Sequence, residues 1–163
     1  MTEKQTVGWR EWVGFPGLGI DRIKAKVDTG ARSSAIHAYA LKRFKRKGEP
    51  WIRFRVHPIQ ADDRTEVECE APLLDTRRVK SSTGTVTLRP VVRTTLEWAG
   101  EQWEIELTLV RRDEMGFRLL IGRQAMKGCW VVDPSRSFVG GRRRKSKLTP
   151  GSKGSGKKGS GES

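Results

Sequence analysis

Asp28 is the residue around which possible chemistry gathers. It ends the alternating run Ile23-Lys24-Ala25-Lys26-Val27 and opens the turn Asp28-Thr29-Gly30-Ala31. An apolar strand fixes where the carboxylate sits, the threonine hydroxyl can bond backbone across the turn, and glycine lets the chain bend with no Cβ in the way. A carboxylate held like this can act as a general base on water, or as an acid when a second carboxylate shares its proton. The same residues also suit a plain Asx turn, in which Asp and Gly serve only the bend. About ninety residues later stands Phe117-Arg118-Leu119-Leu120-Ile121-Gly122-Arg123, with two bulky apolar residues before a glycine. Arg123-Gln124-Ala125-Met126 then reads as a short helix.

The D-T-G-A loop and the later L-I-G-R segment, in that order with β-like sequence between them, resemble the retropepsins. These are single-domain aspartic proteases whose retroviral members carry D-T-G-A and I-I-G-R segments. The flanks extend the likeness: Gly8-Trp9-Arg10-Glu11-Trp12-Val13, Phe15-Pro16, Leu18-Gly19-Ile20, Ala31 to Ala38, Arg89 to Thr94, and Arg111 to Arg118. Together they resemble a bacterial retropepsin-like group labelled "ATP-dependent zinc protease", over about Val7 to Val139.

The resemblance implies an all-β fold, a retropepsin-like closed β-barrel with one short helix after Leu120-Ile121-Gly122-Arg123. The apolar segment before Gly122 would thread beneath the Asp28 loop and support it. Asp28, Thr29 and Gly30 would be catalytic, and Ala31, Arg32, Gly122 and Arg123 would line the substrate. Pepsin-type chains carry two such loops, whereas this one carries a single copy and no internal repeat, so the implied enzyme is a homodimer with Asp28 and its symmetry mate on the two-fold axis. One ionised carboxylate would activate water while the neutral one donates to the oxyanion and leaving nitrogen, giving a bell-shaped pH profile. A flap is expected over the substrate. Val79 to Val86 is the better candidate, with Ser81, Ser82, Thr83 and Gly84 at its tip, and Ala61-Asp62-Asp63-Arg64 competes with it.

Arg32 departs from the retroviral pattern, which has an acidic residue after D-T-G-A. A cation there could shift the carboxylate pair or select an acidic side chain near the scissile bond, with Lys24, Lys26, Arg93 and Arg118 as candidates to join it; a solvated surface arginine is the plain alternative. Some relatives occur beside ATP-grasp ligases that add glutamates to proteins, so the resemblance implies polyglutamate-like protein tails as substrates. The competing class is a catalytically silent peptide-binding or ribosome- and RNA-associated module on the same fold.

Composition bounds the rest. The 163 residues suffice for one domain, with residues 1–6 read as a flexible start and 7–139 as the folded unit. Net charge is +14, and the Gly/Ser/Lys segment 140–163 supplies half of it with eight Lys or Arg against Glu162. So polar a stretch is expected to be disordered, and its cations at 142–158 could contact nucleic acid non-specifically. A polar start, no run of about twenty apolar residues and only Cys69 and Cys129 suggest a cytoplasmic chain with reduced thiols and no membrane segment.

No cofactor or metal is expected. His37 and His57 are the only histidines, and His37 would meet Cys69, Cys129 or Asp133 as co-ligands only through tertiary accident. Gly151 to Lys158 nearly spells a P-loop, but Lys158 replaces the magnesium-binding Ser or Thr, and neither a strand nor a helix flanks it. Period-two alternation marks strands over Trp51–Val56, Thr65–Glu70, Val91–Trp98 and Gln102–Leu109, with a hairpin at Gly100. Helix is suggested over Arg123–Lys127 and Ala38–Lys42.

Overall fold

A computed structural model of the chain describes residues 4–59, 65–80, 82–111, 116–126, 128 and 130–141. Within them the strands are β1 (Gln5–Gly8), β2 (Arg10–Phe15), β3 (Ile20–Val27), β4 (Ser34–His37), β5 (Tyr39–Arg46) and β6 (Glu49–Val56). There follow β7 (Val67–Lys80), β8 (Val86–Trp98), β9 (Glu101–Val110), β10 (Leu119–Ile121), the helix α1 (Arg123–Met126) and β11 (Trp130–Asp133). No helix among the described residues is long and apolar enough to cross a membrane.

Alternation writes the strands, since successive side chains leave opposite faces. In β3, Ile23, Ala25 and Val27 are buried while Lys26 is exposed, and in β9, Ile105, Leu107 and Leu109 are buried while Glu104 and Glu106 are exposed. These inward residues join Phe15, Ile36, Phe54, Leu96, Leu119 and Ile121 in one core. Each buried Val, Leu, Ile or Phe among them contributes roughly 1.5–3 kcal/mol by leaving water, set against the entropy of ordering it.

Hydrogen bonding runs in the order β2-β3-β10-β4-β9-β8, and β2 pairs back onto β8 through Gly14 and Glu97. Six strands thus close into a barrel, the all-β retropepsin-like form that the motifs implied. The first half of β8 leaves the barrel and pairs with β7, beyond which lie β6 and then β5. A separate parallel pair joins β1 to β11, from Gln5↔Trp130 to Gly8↔Asp133.

One local expectation needs correction. Ala38–Lys42 is not helical: Ala40 adopts φ 55 in a bulge between Tyr39 and Lys42, and the segment enters β5 paired to β6. Ladder partners outweighed a weak local helical preference there. On the N-terminal side, Gln5 and Thr6 pair with Trp130 and Val131 of β11.

At the other end, order continues past Val139 through buried Glu11. Its Oε2 accepts the N–H groups of Gly8 (2.6 Å) and Val139 (2.9 Å), and its Oε1 accepts Trp98 Nε1–H and the Gly140 N–H, both at 3.0 Å. Four donors match the four lone-pair directions of a carboxylate. Phe138 stacks on Trp12 at 5.8 Å beside this clamp.

Candidate active site

β3 delivers Asp28, and β10 holds it in place. β10 lies between β3, parallel in register Leu119↔Ala25 to Ile121↔Val27, and β4, antiparallel through Leu119↔Ile36. The Asp28 N–H donates to Ile121 O (2.9 Å), and the Val27 N–H to Trp9 O (2.8 Å). The segment before Gly122 therefore passes directly beneath the loop.

The turn then fixes the carboxylate. The Gly30 N–H donates to Asp28 Oδ1 (3.0 Å) and the Ala31 N–H to Asp28 O (3.2 Å). Asp28 is half-buried, whereas Thr29 and Gly30 are exposed. One oxygen is oriented by its own loop while the loop's rim faces outward.

Gly122 has a steric reason to be glycine. A Cβ there would lie 2.4 Å from Ser33 O and 2.8 Å from Arg32 O. Its N–H donates to the Oγ of buried Ser34 (3.0 Å). The opening N–H groups of α1 lack helical acceptors and bind the loop instead: Arg123 N–H to Ala31 O (2.8 Å) and Gln124 N–H to Arg32 O (3.0 Å). Arg123 Nη1 adds a bond to Thr29 O (3.0 Å). Gly122 is buried against loop backbone, and Arg123 braces the loop with its guanidinium.

Arg32 is exposed next to Ser33, whose Oγ accepts from Arg77 Nη1 (3.5 Å). Arg77 also reaches Glu106 at 2.8 Å. Lys24 and Arg93 line different clefts. Lys24 lines a cleft of about 570 Å³ with Trp12, Asp21 and Pro58, while Arg93 and Glu104 line two others of about 630 and 310 Å³, the smaller reaching Gln124. Ser82, Thr83 and Gly84 sit exposed at the tip of the β7–β8 arm, which stays paired from Leu73↔Val92 to Lys80↔Val86. Ser81 and the rival turn 61–64 lie outside the described residues, as do Cys129 and segment 142–163.

His37 is buried and stacks on Tyr39 (6.2 Å), which stacks on His57 (4.8 Å). Among the described residues no three His, Cys, Asp or Glu side chains group as metal ligands. The Cys69 thiol is free, and burial first, then the charge of Glu68, pushes it up to about 12. Sequence reasoning missed Ser34, the backbone of Trp9, and Arg77. Only Ser34, a small polar residue starting a buried strand next to the motif, left a trace in the sequence.

A closed barrel whose strand-end aspartate loop rests on an apolar-apolar-glycine strand is the retropepsin-like architecture. The chain belongs to the RimB-like family, described as retropepsin-like aspartic endopeptidase RimB, whose model matches residues 6–143. Curated relatives include proteins named probable alpha-L-glutamate ligase. The one from Shewanella halifaxensis is 48% identical over 135 residues, 83% of this chain and 30% of that protein. The one from Desulfotalea psychrophila is 48% identical over 132 residues, 81% of this chain and 28% of that protein. The chain thus spans about 30% of the length of the curated relatives it matches. Among solved structures, the Legionella pneumophila protein Lpg0085, of unknown function, is similar with a TM-score of 0.72 and 26% identity, covering 85% of this chain and 99% of that one.

Proposed function

We propose that the chain is an aspartic-type endopeptidase acting as a homodimer, with Asp28 and the partner's Asp28 sharing one proton across a bound water. The observation that carries this reading is the seating of Asp28. Its backbone is tied to β10, its Oδ1 is oriented by the Gly30 N–H, and Thr29 and Gly30 face outward where a second copy can meet them. The ionised carboxylate takes a proton from water as that water attacks the scissile carbonyl. The protonated carboxyl donates to the developing oxyanion and then to the departing nitrogen. Thr29 joins the two loops, Gly30 and Ala31 offer backbone to the peptide, and the β7–β8 arm closes over it as a flap.

The substrate we propose is an acidic, glutamate-rich peptide or protein tail. Two features support it: exposed Arg32 beside the loop, and the name of the longer relatives, probable alpha-L-glutamate ligase. A peptidase of this specificity would remove what such ligases add. Free, buried Cys69 suits a reducing, cytoplasmic setting.

Mass-spectrometric cleavage of a Glu- and Asp-enriched peptide library, from about pH 4 to about pH 8, tests the proposal with wild type against Asp28→Asn. Products that vanish in the variant are expected. Equal cleavage by both proteins would remove Asp28 from the mechanism.

A further inference from the structure

The outer edge of β5 is charged in a way that the active site does not use. β5 ends the nine-strand order, so among the described residues nothing pairs with its outer side. Half the backbone N–H and C=O groups of such a strand point away from its only neighbour. From Tyr39 to Gly48 the sequence has Lys42, Arg43, Lys45, Arg46 and Lys47 and no acidic residue.

Other cations of this sheet are neutralised, Arg46 of β5 itself among them. Arg53 and Arg46 bind Glu70 at 3.0 and 2.6 Å, and Arg55 binds Glu66 at 3.2 Å. Lys42, Arg43, Lys45 and Lys47 have no carboxylate partner among the described residues, and all four are exposed. A lysine or two would be enough to guard an edge against aggregation. Four unneutralised cations in six positions exceed that need.

Their facing is informative. In the β5–β6 register Lys42 lies opposite Arg53, on the face that carries Phe44 and Trp51, whereas Arg43 and Lys45 lie opposite Ile52 and Pro50 on the other face. A strand made of consecutive glutamates presents carboxylates on both faces, because its side chains alternate. An edge that is cationic on both faces complements such a strand. The bulge at Ala40 and the turn at Lys47 (φ 53) and Gly48 (φ 80) bound the regular stretch to Lys42–Arg46, room for about five residues of an added strand. The edge also adjoins the site's framework: Arg43 Nη2 reaches Thr76 Oγ1 (3.2 Å), and the next residue of β7, Arg77, reaches Ser33.

We propose that the free edge of β5 is an exosite that binds an extended run of acidic residues by strand addition, holding a substrate tail while another part of it is cut. This deepens the reading of the chain as an endopeptidase for glutamate-rich tails and rests on that reading.

The test uses the full chain carrying Asp28→Asn, so that bound peptide survives, and a fluorescein-labelled peptide of about ten glutamates read by anisotropy. Lys42→Glu, Lys45→Glu and Lys47→Glu together should weaken binding about tenfold or more, since attractive pairs become repulsive. N-methylating alternate peptide amides should weaken it comparably, because strand addition uses the backbone. In the Asp28 protein, the reversed edge should raise KM for the long substrate at unchanged kcat and leave a short peptide's kinetics untouched. Equal affinity for both edges would overturn the exosite, and equal affinity of the N-methylated peptide would overturn strand addition. Failure of the glutamate peptide to displace an edge-bound oligonucleotide of equal charge would overturn the acidic-peptide occupant. Cleavage that persists in Asp28→Asn would instead sink the catalytic reading and leave the binding result standing.

Discussion

Replacing Gly122 with alanine tests whether β10 positions Asp28. The added Cβ would lie 2.4 Å from Ser33 O and 2.6 Å from Ser33 C, whereas ordinary contact begins at 3.4 Å. Backbone must therefore part by about 1 Å, because neither obstructing atom belongs to a flexible side chain. The strain falls on the bonds that seat the loop: Asp28 N–H to Ile121 O, Arg123 N–H to Ala31 O and Gly122 N–H to Ser34 Oγ. Overpacking of this kind costs about 1–3 kcal/mol, and a displacement near 1 Å at a catalytic group costs about a hundredfold in rate. Expected outcomes are a Tm lower by roughly 3–10 °C and kcat lower by about two orders of magnitude, with the protein still folded. Gly17→Ala serves as control, since the nearest atom to its Cβ would be Thr94 Oγ1 at 3.7 Å. Calorimetry and peptide cleavage on the three proteins give both numbers. Full activity and an unchanged Tm in Gly122→Ala would refute the idea that close approach of β10 sets the loop.

Two further predictions follow from buried groups. Glu11→Gln turns one acceptor into an NH₂ facing N–H donors from Gly8, Val139, Gly140 or Trp98, and should destabilise the fold by about 2–4 kcal/mol in a urea titration. Cys69, with its thiol raised from 9.0 to about 12, contributes stability that is complete below its unfolded value and is lost as pH climbs through that interval. In a Cys129→Ser background, iodoacetamide should therefore label Cys69 at pH near 8 only after unfolding.

The sequence was most legible where chemistry and geometry coincide locally. Asp28-Thr29-Gly30 marked a strand end and a tight turn, and Leu120-Ile121-Gly122 marked a buried strand ending in a required glycine. Alternation over β9 and the hairpin at Ala99-Gly100, with φ of 50 and 86, were likewise local. Where local signals were weak, they misled. Tyr39–Lys42 became strand because β6 supplied partners, and the pairing of Gln5–Thr6 with β11, 125 positions away at Thr6↔Val131, left no local signal.

By itself, then, the amino-acid order determined which residues end strands, which bend, and which must be apolar, because dihedral preference and side-chain period are properties of neighbours in sequence. Tertiary structure alone decided that β10 inserts between β3 and β4, that α1 turns its first N–H groups onto the loop, and that Glu11 gathers donors as far apart in sequence as Gly8 and Gly140. It also left β5 at the end of the sheet with Lys42, Arg43 and Lys45 lacking a carboxylate partner among the described residues. Those outcomes depend on contacts between residues distant in sequence, and no short-range pattern encodes which distant partner will supply the missing hydrogen bond or counter-charge.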